Sequence, residues 1–124
     1  MTCPCGLPAP YADCCGRYHA GALHLLAPDA PSLMRSRYSA FVHGLSDYLL
    51  ATWHHSTRPA TLEPDPPGLR WLGLEVRGQA QQDADHATVE FVARSKLGGR
   101  AQRLHETSRF VHEDGRWFYL DGEF

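Results

Sequence analysis

Hydrophobic positions along the chain follow two different periods. In PDAPSLMRSRYSAFVHG, Met34, Tyr38, Phe41 and Leu45 recur three or four positions apart, which lines one face of a helix. Ser32 is placed to cap its start, and Gly44 to end or bend it. A second helix is expected over SDYLLATWHH, capped by Ser46 or Asp47, with Leu45, Leu49 and Trp53 on one stripe and Tyr48 and Thr52 beside it. Pro59, Pro64, Pro66, Pro67 and Gly68 then make residues 56–69 a loop.

From Trp71 the period falls to two. Leu72, Leu74 and Val76 alternate with polar residues, as do Ala87, Val89, Phe91 and Ala93, and further strands are expected over 104–111 and 116–120. Gly98-Gly99 and Asp114-Gly115 have the composition of two-residue hairpin turns. Such turns would set Ala93 opposite Leu104, Phe91 opposite Glu106 and Val89 opposite Ser108, then His112 opposite Trp117, Phe110 opposite Tyr119 and Ser108 opposite Asp121. Opposed residues share a face. The apolar ones among these therefore form a core face, on which Glu106, Ser108 and Asp121 must be paired or line a cavity. Glu90, Arg94, Arg103, His105, Thr107 and Arg109 fall on the other face, which is wet or joins a second subunit. Helices followed by an antiparallel meander make an α+β fold, with the helices packed on one face of the sheet.

Composition narrows the function. With 124 residues, 43% hydrophobic and 21% charged, the chain suits one soluble domain with a short extra element. A net charge of −2 creates no field for polyanions, and Arg35-Ser36-Arg37 is a small cluster within a helix, so nucleic acid is not indicated. No apolar run reaches the roughly 18 residues of a membrane span. The opening MTCPCGLP lacks the features of a secretory signal, so a cytoplasmic protein with reduced thiols is expected. Phosphate loops, nucleophile elbows and dinucleotide fingerprints are absent from the sequence.

Chemistry concentrates at the front, where Cys3, Cys5, Cys14 and Cys15 hold all the sulfur of the cysteine type. Disulfides confined to this segment would staple nothing else, and a Cys14–Cys15 bridge would join neighbours in strained geometry. The C-x-x-C spacing of a redox pair is missing. Four thiolates are instead the donor set of a closed, structural Zn²⁺ site, with free, metal-less cysteines as the alternative. Gly6 suits a sharp turn after Cys5, three prolines stiffen the ligand loop, and Arg17 can offset thiolate charge.

CPCG, eight residues on followed by CCG, resembles the SEC-C zinc knuckle found at the C-terminal end of the SecA translocation ATPase and in many bacterial proteins. The resemblance implies that all four cysteines are ligands. Knuckles of that kind usually carry lysines between the cysteine pairs, whereas here LPAPYAD has an acid and no base. LMRSRYSAF, DYLLATWHHS, WLGLEV, VEFVAR and HETSRFVHEDGRWFYLDG closely resemble the YchJ-like family of bacterial proteins. That resemblance implies a knuckle over residues 1–22 and, over 29–124, an NTF2-like cone of curved sheet closed by helices. Such cones host isomerases, dehydratases, adaptors and dimerisation modules, so fold alone assigns no activity.

The motif positions Arg35, Arg37, Tyr38, Trp53, His54, Glu106, Ser108, Arg109 and Asp121 are where a pocket is expected. In one arrangement His54 is an acid/base partnered by Glu106 or Asp121, with Tyr38 and Trp53 as an aromatic wall. In the other, Arg35 or Arg37 bridges to Glu106 or Asp121 in a structural network, and the protein binds a partner or small ligand without catalysis. A homodimer presenting two knuckles is the third arrangement considered. His54-His55 lacks the i, i+4 spacing that places two ligands on one helix face, so no second metal is expected.

Overall fold

Asp29 starts the long helix, since its carboxylate accepts the Ser32 N–H at 2.8 Å and Pro31 occupies the first turn. Ser32, expected to be the cap, is therefore the capped residue. This is the main helix of the computed structural model, which describes residues 2–123. A 3-10 turn (Tyr11–Asp13) and a one-turn helix α1 (Gly16–His19) precede it; α2 spans Ala30–His43 and α3 spans Ser46–Ala51. Gly44 closes α2 in the left-handed conformation, its N–H reaching the Ala40 and Phe41 carbonyls. Leu45, with no side-chain hydrogen bond, precedes α3, so neither Ser46 nor Asp47 is its cap.

α3 is shorter than its stripe predicts. It stops at Thr52, whose Oγ1 donates back to the Tyr48 carbonyl at 2.8 Å. The chain then runs alongside an edge strand: Tyr119 N–H donates to Thr52 O and His54 N–H to Tyr119 O, both at 2.8 Å. Those bonds satisfy backbone groups that an open sheet edge would leave unpaired, which favours an extended Trp53 over another helical turn.

Four antiparallel strands follow in spatial order β1 (Arg70–Asp83), β2 (His86–Leu97), β3 (Arg100–Glu113) and β4 (Arg116–Glu123). The β2–β3 register is the one that a Gly98-Gly99 turn dictates along its whole length. Between β3 and β4 the expected register runs from Glu113–Arg116 to Phe110–Tyr119 and then slips. A bulge at Leu120 sets Arg109 opposite Asp121 and Ser108 opposite Gly122. A second bulge, between Trp71 and Gly73, turns Trp71 toward the helices and leaves Leu72 54% exposed, reversing the predicted alternation there.

The core lies between α2, α3 and the inner sheet face, with Leu33, Leu49, Val89, Phe91, Ala93 and Phe110 buried. Burial of the leucine, valine and phenylalanine side chains among them contributes about 1.5–3 kcal/mol each. On the outer face Val92 is fully buried where Glu75 and His105 flank it in the register, an ion pair joins Arg94 to Glu75, and a hydrogen bond joins His105 to Glu90. None of the described helices is long and apolar enough to cross a membrane.

Candidate functional site

The cysteines converge. Cys3 and Cys5 sit on a short loop closed by a Thr2–Pro10 bridge, and Cys14 and Cys15 lead into α1. Their sulfurs lie within 4.8 Å of one another and all four residues are buried. A tetrahedral ion with sulfur at about 2.3 Å requires sulfurs about 3.8 Å apart; Cys5 and Cys14 stand at 3.6 Å. The donor set fits a closed metal site. Gly6 turns the loop at φ 96°, where its N–H donates to Cys3 O and any side chain would be strained.

Charge is unevenly shared among these thiols. A hydrogen bond from Cys15, aided by the Leu7 backbone, holds the Cys5 thiol down to about 5 against its burial. Burial and the bond to Cys5 push Cys14 up to about 11, and the bond to Cys5 together with burial pushes Cys15 up. One thiolate is thus stabilised by protonated neighbours, and an ion with two positive charges would supply what the rest require to ionise. Around the sulfurs, the fully buried Ser39 hydroxyl lies 3.5 Å from Cys3 Sγ, and Arg35 Nη1 donates to Cys5 O at 2.8 Å. His19 spans the joint, with Tyr11 OH 2.5 Å from Nδ1 and Ser36 O 2.8 Å from Nε2. The knuckle is therefore docked on α2.

On the other side of α2 the cone holds a cavity of about 280 Å³ that opens to solvent. Its walls are aromatic and aliphatic, including Met34, Tyr38, Phe41, Trp71, Phe91 and Phe110, with Leu104 toward solvent. Polar groups gather at one side. Glu106 Oε2 accepts from Ser108 Oγ and, at 3.3 Å, from Tyr119 OH. Burial and then the nearby Glu106 charge push the Tyr119 phenol up to about 12, so it stays a donor. Arg37 is buried and brought down to about 10, so it is still a cation at neutral pH. It donates to Leu49 O at 2.8 Å and to Thr52 Oγ1 at 2.7 Å, and its guanidinium faces the Tyr119 and Trp53 rings at 4.5 and 5.3 Å. Trp53 Nε1 is buried with no hydrogen-bond partner among the described residues.

Arg37, Tyr38, Trp53, Glu106 and Ser108 thus meet at one cavity. Other expected members do not. His54 bonds to Glu113 at the outer rim, because α3 ends before it, so no His54–Glu106 or His54–Asp121 pair forms. The Leu120 bulge carries Asp121 to the outer face, where its carboxylate takes two hydrogen bonds from Arg109 at 2.5 and 2.9 Å. Arg35 serves the knuckle rather than a carboxylate. Sequence reasoning missed Ser39 and Gly122. A Cβ at Gly122 would overlap Glu106 Oε2, so glycine is required there for Glu106 to occupy its place. The position is marked in the sequence only by a glycine inside a strand pattern.

The profile of the family described as "YchJ, middle NTF2-like domain" matches residues 29–122. A UPF0225 protein of Bordetella parapertussis is 64% identical over 122 residues, covering 98% of this chain and 92% of its own. Another, of Methylibium petroleiphilum, is 68% identical over 123 residues, covering 99% and 88%. The solution structure of a SEC-C motif containing protein from Rhodopseudomonas palustris superimposes with a TM-score of 0.84 at 35% identity, over 99% of this chain and 98% of that one. A crystal structure of a SEC-C motif containing protein from Psychrobacter arcticus gives 0.81 at 33% identity, over 98% and 81%. Profile, relatives and fold agree with the four-cysteine knuckle and the helix-capped cone: the chain belongs to the YchJ-like family.

Proposed function

We propose that this is a zinc-stabilised binding protein whose cone takes up a small, largely apolar ring compound bearing one polar end, without transforming it. The observation that carries this reading is the composition of the cavity: aromatic walls, Trp53 among them, with Glu106 and Arg37 as its charged lining. Ligand pockets begin at about 300 Å³, and a cavity of about 150 Å³ already holds benzene. The 280 Å³ present suits one or two fused rings. A hydrogen-bond donor on the ligand would meet Glu106, and its rings would pack on the aromatic walls. Zinc is the metal that four thiolates in a closed shell suit best, and in this reading it supplies folding energy to a segment with little core of its own.

The other reading, a lyase or isomerase using a His/carboxylate pair, loses its histidine because His54 faces Glu113. Glu106 and Tyr119 alone would have to provide acid/base chemistry. A fragment screen by NMR separates the readings. Binding is expected to move the Trp53 indole N–H signal and to vanish in Met34→Trp, which fills the cavity, with every fragment recovered unchanged. Fragments that bind only at the knuckle, or that are converted and cease to be converted in Glu106→Gln, would overturn the proposal.

A further inference from the structure

His54 and His55 lack the helical spacing of a metal pair, yet the fold brings them a third donor from the end of β3. We propose that His54, His55 and Glu113 form a second metal site, an open three-donor site for a borderline divalent ion of the zinc or cobalt type at the rim of the cone. One donor atom from each residue lies within 4.8 Å of the others. His54 Nε2 is hydrogen-bonded to Glu113 Oε2, and His55 Nε2 is 3.9 Å from Glu113 Oε1. A tetrahedral ion held by nitrogen and oxygen at about 2.0–2.1 Å needs donors about 3.4 Å apart. The hydrogen-bonded contact must therefore open, and the other pairs, already within 4.8 Å, close by at most about 1.4 Å.

The side chains that must move are the free ones. His55 and Glu113 are 71% and 43% exposed, against 11% for His54. His54 is the anchor: its N–H donates to Tyr119 O, and its carbonyl accepts from the Thr57 and Arg58 N–H groups at 3.1 and 3.0 Å. Ser56 meets Nδ1 twice, its N–H donating at 3.2 Å and its Oγ lying 2.7 Å away; metal binding at Nε2 requires the other tautomer, whose Nδ1 proton Ser56 Oγ is placed to accept. Arg116, opposite Glu113 across the hairpin, is engaged by other groups: Nη2 donates to Ala51 O at 3.1 Å and the guanidinium lies 4.7 Å from the centre of the Phe118 ring, which the His54 ring meets edge-on at 5.8 Å. Two imidazoles and one carboxylate select zinc, cobalt or nickel over magnesium or calcium, which take oxygen shells. Three protein donors leave positions for water, unlike the closed cysteine site.

The test uses the full chain carrying one equivalent of Zn²⁺ on its cysteines, titrated with Co²⁺. Native mass spectrometry should count one further ion, and visible d–d bands should grow without thiolate-to-cobalt charge transfer. His55→Ala and Glu113→Gln, both at exposed positions, should each weaken that second ion at least tenfold while the first is retained and the circular dichroism is unchanged. No second ion, a second ion held equally by both variants, or charge-transfer bands placing the cobalt on sulfur would each overturn the site.

Discussion

Glu106 shows how one side chain's position depends on residues far from it in sequence. Ser108, two residues along β3, and Tyr119 on the facing β4 reach its Oε2, and Gly122 of β4 leaves room for the carboxylate. Gly122→Ala should cost about 1–3 kcal/mol in urea denaturation, the usual range for overpacking, and should also abolish fragment binding. Unchanged stability and binding would place Glu106 elsewhere. His19 allows a pH experiment. Burial holds its imidazole below the ordinary range, so between the two values the unfolded chain binds the proton that the folded chain refuses. Its contribution is full above about pH 6.5 and is lost as pH falls through the folded value. An NMR titration should give a His19 midpoint below about 6.5, and a higher midpoint would contradict its buried place between Tyr11 and Ser36.

Elements were legible where a local rule acts alone. Gly98-Gly99 dictates the β2–β3 register without exception, and Gly44 ends α2. The bulges at Leu72 and Leu120 escaped, because alternation of apolar residues carries no mark of one extra residue: Leu72 is as hydrophobic as a core position but points outward. The end of α3 was equally hidden, since it is decided by backbone bonds to β4, more than sixty residues away in the sequence. The cysteine donors needed only their spacing, whereas the His54–Glu113 contact needed the tertiary fold. The bulge at Leu72 makes a prediction by denaturation. Leu72→Ser should change stability by no more than about 0.5 kcal/mol, while Trp71→Ala should cost about 2 kcal/mol or more. The reverse order would restore the uninterrupted alternation.

At the scale of the whole molecule, α2 joins the knuckle to the cone. Its Arg35, Ser36 and Ser39 serve the knuckle, while Met34, Arg37, Tyr38 and Phe41 serve the cavity. Polar residues within the helix are therefore as buried as apolar ones, Ser36 and Ser39 completely so. In this account metal holds the knuckle together, and the cone's own core holds the cavity. The measurement that tests this most directly is hydrogen exchange along the full chain with its metal bound and after chelation. The account predicts that metal removal abolishes protection over residues 2–20, weakens it on α2 around Ser36 to Ser39, and leaves β2, β3 and fragment binding in the cone intact. Protection of residues 2–20 that survives chelation, or loss of the entire sheet with the metal, would contradict it.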